Sequence, residues 1–442
     1  MKFMFDHKKT IGEGAFGTVY KGKLWYSSSM ILKGYGSREV AVKRVELRHV
    51  DKRKEEAMLK LNHTNIVRLF QCEKDNDFRY YVLELCDASL YQLFLKSDDP
   101  KKYNGRMPRE IEVFHQLATG LAYIHSKKLI HRDIKPSTIL IMRKPGKYDE
   151  IIMKWSDFGL TKSINKKRYH LWPGVRETSN WYAPEVLQKL IEGERAENEE
   201  FSGTGVKSDV FCLGLVFGYI FLKGEHLFGS RDKDIYHNIM GKHPVNMKSN
   251  PNLLPYYITL PFMNTWLLIL DIDVELRKYY EDDLLTKMLE YDQKKRMNSA
   301  EVVEQLESIK NKLTEKEKEF FLLCAGDSSP DLVGKINDFI RLGVDVKAKD
   351  DDGMNALHHL CKSNSSPDLI DAIQLLIPLG IDVNAKDNSG RNALHYLCRS
   401  NSSPNLIDAI QLLIQLGMDV NAKDGRGQNA SICCASQIQA QI

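Results

Sequence analysis

Cysteine is scarce in this chain and is not arranged for cross-linking. Eight cysteines occur in 442 residues; Cys433 and Cys434 are adjacent, the others are scattered, and no Cys-x-x-Cys pair is present. A disulfide scaffold is excluded, and reduced thiols in a cytosolic or nuclear compartment are expected. Long hydrophobic runs are missing too. The most apolar stretch, residues 210–222, is interrupted by glycines and falls short of the ~20 residues that a bilayer crossing needs. The opening MKFMFDHKKT carries no apolar stretch behind its basic end, so no secretory signal is expected, and the chain reads as soluble and cytoplasmic. Charge of one sign is also lacking. Lys+Arg at 63 against Asp+Glu at 59 leaves +4, too small an excess to indicate a nucleic acid or a membrane as partner. What is there is an apolar fraction of 43%, which suits folded protein, in a length that suits two or three units.

An internal repeat divides the chain. Residues 344–380 are followed at once by 381–417, with 28 of 37 positions identical. A third start, MDVNAKDGRGQNA, begins at Met418, and residues 322–343 align with the second half of the unit. Each unit reads as turn, helix, loop, helix. Asp-x-x-Gly supplies the turn, and Pro367 sits near the start of the second helix, where its missing N–H costs nothing. Leu369, Ile370, Ile373, Leu376 and Ile377 follow at helical spacing, and Gly380 closes the helix at a position suited to positive φ. Such a unit buries its apolar face only against neighbours. Asn-Ala-Leu-His at 355–358 and 392–395, with Asp-Val-Asn-Ala-Lys at 382–386, resembles the ankyrin repeat. His358, His359 and His395 are expected to be structural hydrogen-bonding residues of these units.

Residues 1 to about 310 lack that period and alternate β-rich runs (39–45, 79–84) with helical stretches (108–126, 209–222). Five motifs follow one another there. The first, Ile11-Gly-Glu-Gly-Ala-Phe-Gly17-Thr-Val19, places a valine two residues after its third glycine, which favours a β-hairpin lid over phosphates. Next, Val40-Ala-Val-Lys43 offers a strand lysine for phosphate oxygens. That lysine needs a carboxylate on the following helix. Glu55 and Glu56 both qualify, and Glu55 is preferred because it puts Leu59 on an inward face. His131-Arg-Asp133-Ile-Lys135-Pro136 supplies a candidate base in Asp133 and a charge-neutralising lysine in Lys135. Asp157-Phe-Gly supplies a carboxylate for a magnesium ion, and Ala183-Pro-Glu185 closes the set.

In this order and spacing the motifs resemble the eukaryotic protein kinase domain over residues 5–310. Lys135 and Pro136 resemble the Ser/Thr rather than the Tyr branch. Residues 84–90, SDFGL at 156–160 and GEHLFG at 224–229 look most like the Ire-type sensor kinase–endoribonucleases and ribonuclease L. The resemblance implies an α+β bilobal kinase fold, with a β-rich N-lobe and a helical C-lobe. An all-α ankyrin stack follows at 311–442: partial at 320–343, full at 344–380 and 381–417, partial at 418–442. It implies an ATP site made of Ile11, Gly12, Glu13, Gly14, Ala15, Phe16, Gly17, Val19, Ala41, Lys43, Glu84 and Cys86. It also implies that Asp209 braces the catalytic loop and that Arg296 pairs with Glu185.

The expected activity is ATP- and Mg²⁺-dependent transfer of the γ-phosphate to hydroxyls of a protein substrate. A protein partner on the repeats is expected, and a homodimer as in the Ire-type proteins. One departure stands out. The family motif requires Asn at 138 and this chain has Thr138, whose shorter hydroxyl is a poorer metal ligand beside Asp157. The alternative expectation is therefore a nucleotide-binding pseudokinase scaffold. The repeats also begin where the related proteins carry a nuclease module, so endoribonuclease activity is not expected.

Overall fold

The computed structural model describes residues 2–14, 17–25, 36–50, 55, 58–144, 150–158, 162–163, 179–192, 204–248, 284–326, 331–342, 344–363, 366–400 and 405–430. These fall into two compact units. The first runs to 248 and resumes at 284–307, and the second begins at 308.

The first unit opens with a five-stranded antiparallel sheet. Its strands are β1 (Lys2–Gly14), β2 (Gly17–Trp25), β3 (Ser37–Glu46), β4 (Leu69–Lys74) and β5 (Phe78–Glu84), in spatial order β1-β2-β3-β5-β4. Side chains alternate between the faces of a strand, and here both faces are used. Leu24, Val40, Val42 and Val82 form a buried cluster on one face, covered by Phe3, Phe5, Phe70 and Tyr80. The residues between them in sequence, Ala41, Lys43 and Val45, line a cleft on the other. A one-residue slip would exchange the two sets, so the valines hold the register of Lys43.

Beyond the sheet come two short strands, β6 (Ala88–Ser89) and β7 (Leu129–Ile130), and the hairpin β8 (Ile139–Arg143) and β9 (Ile151–Trp155). The longer helices of this part are α1 (Glu110–Ser126), α2 (Pro184–Glu192), α3 (Thr204–Phe221) and α4 (Asp232–Met240). The glycine-interrupted apolar run lies within and just beyond α3. Val210, Phe211, Leu213, Leu215, Val216, Phe217 and Ile220 are all buried, as expected of a helix that is apolar all round. Phe217 stacks on Phe114 of α1 with ring centroids 4.1 Å apart. The run is a core helix, and none of the described helices is long and apolar enough to cross a membrane.

The charged stretch at 311–319 is helical. It belongs to α5 (Ser299–Ala325), and the division between the units falls inside this helix. In the second unit follow α6 (Leu332–Arg341), α7 (Ala356–Ser363), α8 (Leu369–Leu376), α9 (Ala393–Ser400) and α10 (Leu406–Gln415). Leu369, Ile373 and Leu376 are buried, as are their counterparts one period on, Leu406, Ile410 and Leu413. Gly380 and Gly417 close their helices at φ 82° and 85°. The histidines tie neighbouring repeats together: His358 Nε2 donates to the Arg391 carbonyl at 3.2 Å, and His395 Nε2 to that of Gln428 at 3.2 Å. His359 Nε2 pairs within its own repeat with Asp350 at 2.8 Å. One expectation fails. Cys398 is disulfide-bonded, while Cys72, Cys86, Cys212, Cys324 and Cys361 are in no disulfide. Spacing alone did not exclude this bond, because its ends meet only in the folded chain.

Candidate active site

A cleft of about 1700 Å³ opens beside the sheet. Antiparallel pairing places Val19 and Tyr81 on either side of Lys43, and Lys21 and Leu83 on either side of Ala41. All six residues line the cleft, together with Ile11, Gly12, Glu13, Glu55, Glu84, Cys86 and Asp157. The glycine-rich segment is a hairpin in which Gly14 faces Gly17. Gly17 sits at φ 124°, and a Cβ there would come 2.1 Å from the Arg44 carbonyl oxygen, so only glycine fits. Gly17 is not among the described residues that line the cleft, and Ala15 and Phe16 lie outside the described residues.

Four charged groups at the back of the cleft are paired differently from expectation. Lys43 Nζ contacts Asp157 Oδ1 at 2.7 Å. Glu55 takes Arg79 instead: Arg79 Nε donates to Glu55 Oε2 at 2.9 Å, and Arg79 Nη2 donates to Glu55 Oε1. The expected Lys43–Glu55 pair is therefore not the one formed, because a planar guanidinium offers the carboxylate two donors where an ammonium offers a point charge. The packing reason given for Glu55 also fails. Leu59 is 63% exposed, and Met58 faces the cleft.

Glu84, at the end of β5, is held by Lys154, whose Nζ lies 2.8 Å from Glu84 Oε2 and donates to the Thr64 carbonyl at 2.8 Å. Its carboxylate also accepts from the Arg68 N–H at 3.3 Å, and its own N–H donates to the Arg68 carbonyl at 2.9 Å. Burial pushes the Cys86 thiol up to about 12, so it lines the cleft as a neutral side chain.

The catalytic loop is fastened by one carboxylate. Asp209 of α3 accepts from the His131 N–H at 2.7 Å, the Arg132 N–H at 2.9 Å and His125 Nε2 at 2.9 Å. His131 is fully buried, and burial lowers its pKa. The neutral ring donates from Nε2 to the Ser156 carbonyl at 3.1 Å and accepts at Nδ1 from the Asp133 N–H at 3.3 Å. Arg132 and Asp157 hold φ of 69° and 56°, a region costly for non-glycine residues and sustained here by these surrounding bonds. Asp133 is nearly buried and lies 2.9 Å from Lys135 Nζ. Burial pushes its carboxyl upward, with the Lys135 ammonium pulling the other way.

Thr138 is engaged within its own loop. It is 3% exposed. Its Oγ1 donates to the Asp133 carbonyl at 2.6 Å and accepts from the Lys135 N–H at 3.2 Å. These bonds tie the loop together. Asp157 is the carboxylate of the cleft that could hold a metal ion. Among the described residues no group of three or more His, Cys, Asp or Glu could hold a metal ion. That donor set fits Mg²⁺ held by a carboxylate together with substrate phosphates.

Arg296 and Glu185 meet in two parallel bonds of 2.7 and 3.0 Å. Arg79 and Lys154 were missed from the sequence. Lys154 had a legible signal, a lysine inside the wholly buried strand IIMKW; Arg79 had none.

With this geometry in place, comparison with known proteins is decisive. The family description "Protein kinase domain" matches residues 5–306, and "Ankyrin repeats (3 copies)" matches 322–424. The chain belongs to the protein kinase domain family. This kinase domain is similar to the serine/threonine-protein kinase/endoribonuclease ireA of Aspergillus fumigatus, 28% identical over 65% of this chain and 24% of that protein. It is similar also to serine/threonine-protein kinase/endoribonuclease ire-1 of Caenorhabditis elegans, 32% identical over 52% of this chain and 22% of that one. With serine/threonine-protein kinase/endoribonuclease IRE2 of Homo sapiens the identity is 33%, over 52% and 23%. The chain spans about a quarter of the length of the curated relatives it matches. The Ire-type likeness expected from residues 84–90, 156–160 and 224–229 of the kinase domain is therefore met.

Proposed function

We propose that the chain is an ATP-dependent serine/threonine protein kinase over residues 5–310, with ankyrin repeats in 311–442 that bind a protein partner. The observation that carries this reading is a buried Asp133 paired with Lys135 on a loop fastened by Asp209, beside a cleft that presents Lys43 and Asp157. The substrate hydroxyl oxygen forms a bond to the γ-phosphorus as the bond from that phosphorus to the β-phosphate oxygen breaks, and Asp133 takes the hydroxyl proton. Lys135 offsets charge on the transferred group, and Lys43 holds the α- and β-phosphates. Mg²⁺, when bound at Asp157, supplies neutralisation of phosphate charge.

Only the kinase half of the relatives' printed names is taken over, because ankyrin repeats follow the kinase match in this chain. A cytoplasmic location and a homodimer belong to the same reading. The test is phosphate transfer from radiolabelled ATP with Mg²⁺ or Mn²⁺. Asp133→Asn is expected to lower the rate about a hundredfold or more; equal incorporation by the two proteins refutes the kinase reading. The enclosed Thr138 hydroxyl favours a second reading, a nucleotide-binding scaffold. Lys43-dependent ATP binding without transfer would establish that one.

A further inference from the structure

We propose that Arg79 is a positioning residue, which withholds the Glu55 carboxylate from Lys43 and so limits the fraction of the protein able to take nucleotide. This rests on reading the cleft as an ATP site. Tyr81 of β5 pairs with Lys43 of β3, and Arg79 pairs with Val45, one step further along the same face. Residues two apart on a strand are separated by ~7 Å. The two cations are thus neighbours on the cleft side of the sheet, and one glutamate side chain can serve either. Glu55 lines that cleft and gives both its oxygens to Arg79. The pair is well shielded, with 15% and 18% of the two side chains exposed, so its charge-assisted bonds are screened little.

Lys43, without Glu55, takes Asp157 instead. Those are the two groups the nucleotide needs: one for phosphate, the other for the metal. Passing Glu55 to Lys43 would give that lysine a carboxylate that is not the metal ligand, and would release Asp157. Arg79 opposes the exchange, since it would be left shielded without its anion. Of its other polar neighbours, Cys72 and Tyr81 supply no charge at neutral pH, being pushed up to about 11 and about 12, first by burial, and Lys74, paired with it on β4, is itself a cation.

Arg79→Leu removes the competitor while matching the apolar surroundings of the sheet. The full-length chain is titrated with ATP and Mg²⁺, and binding is followed by calorimetry. Arg79→Leu is expected to tighten Kd about tenfold, as a larger competent fraction requires. The gain should vanish in Arg79→Leu/Glu55→Gln, should need Lys43, and should be largely reversed in Arg79→Lys. Mere structural damage would weaken binding rather than tighten it. Unchanged or weaker binding by a folded Arg79→Leu protein overturns the inference, and so does a gain that persists without Glu55. Should Arg79→Leu fail to fold, Arg79→Gln must tighten binding by a lesser factor, and its failure to do so is equally fatal. Absence of nucleotide binding in every variant overturns it as well. The kinase reading fails separately, if Asp133→Asn transfers phosphate as fast as the unaltered chain.

Discussion

Replacing Thr138 with valine separates two roles for this residue, because the side chain keeps its shape and loses only the hydroxyl. The hydroxyl joins the Asp133 carbonyl at 2.6 Å to the Lys135 N–H at 3.2 Å, in a site 3% exposed. Thr138→Val strands one acceptor and one donor. Each unsatisfied buried group costs about 1–3 kcal/mol, and the Lys135 side is only partly buried, so the total should be about 2–4 kcal/mol. For a unit of this size that corresponds to a melting temperature lower by roughly 4–8 °C. Both stranded groups flank the base, so kcat should fall about tenfold or more through misplacement of Asp133. The Mg²⁺ concentration for half-maximal rate should stay within about a factor of two, since the hydroxyl is spent on bonds within its own loop. Thermal denaturation and a metal titration of the initial rate measure both effects. A large shift in metal requirement with unchanged melting would refute the reasoning and make Thr138 a ligand after all.

Two further predictions concern stability. Arg296 is fully buried; it donates to both Glu185 oxygens, to the Glu290 carbonyl at 2.7 Å and to the Lys207 carbonyl at 3.0 Å. Arg296→Ala leaves Glu185 without its counter-charge and should cost about 3–5 kcal/mol; a loss below about 1 kcal/mol in thermal denaturation contradicts this. His226 is buried against Trp181 at 4.8 Å, and its pKa is lowered to about 4, chiefly by burial. In the unfolded chain its pKa is near 6.5, so on acidification the unfolded state takes up the proton first. Stability from neutral His226 is complete above pH 6.5 and is lost as pH falls toward 4, by about 3 kcal/mol at most. His226→Phe should flatten that part of the stability curve, and an unaltered acid transition would count against the assignment.

The kinase motifs were legible because each is local. Gly17 is needed at a single φ, Lys43 sits on a strand whose valines alternate with it, and His131 to Lys135 lie on one short loop. The repeats were legible for the same reason: a period of 37 returns the same apolar positions to the same helix face. What failed was the choice of partners. Lys43 and Asp157 stand 114 residues apart, Glu55 and Arg79 stand 24 apart, and several carboxylates in the sequence could have met each cation. Leu59 illustrates the limit, since a helical spacing argument put it inside and the fold left it exposed.

The sequence by itself determined the order of the parts, the register of the valine-lined strands and the helix-closing glycines. All of these depend on backbone conformation and apolar spacing, which act over a few residues. Only the tertiary structure decided that Glu55 goes to Arg79, that Lys154 occupies Glu84, that the Thr138 hydroxyl turns into its own loop and that Cys398 is bonded. Charged and polar groups take whichever partner the packed elements bring within about 3 Å, and that distance is set by the whole fold.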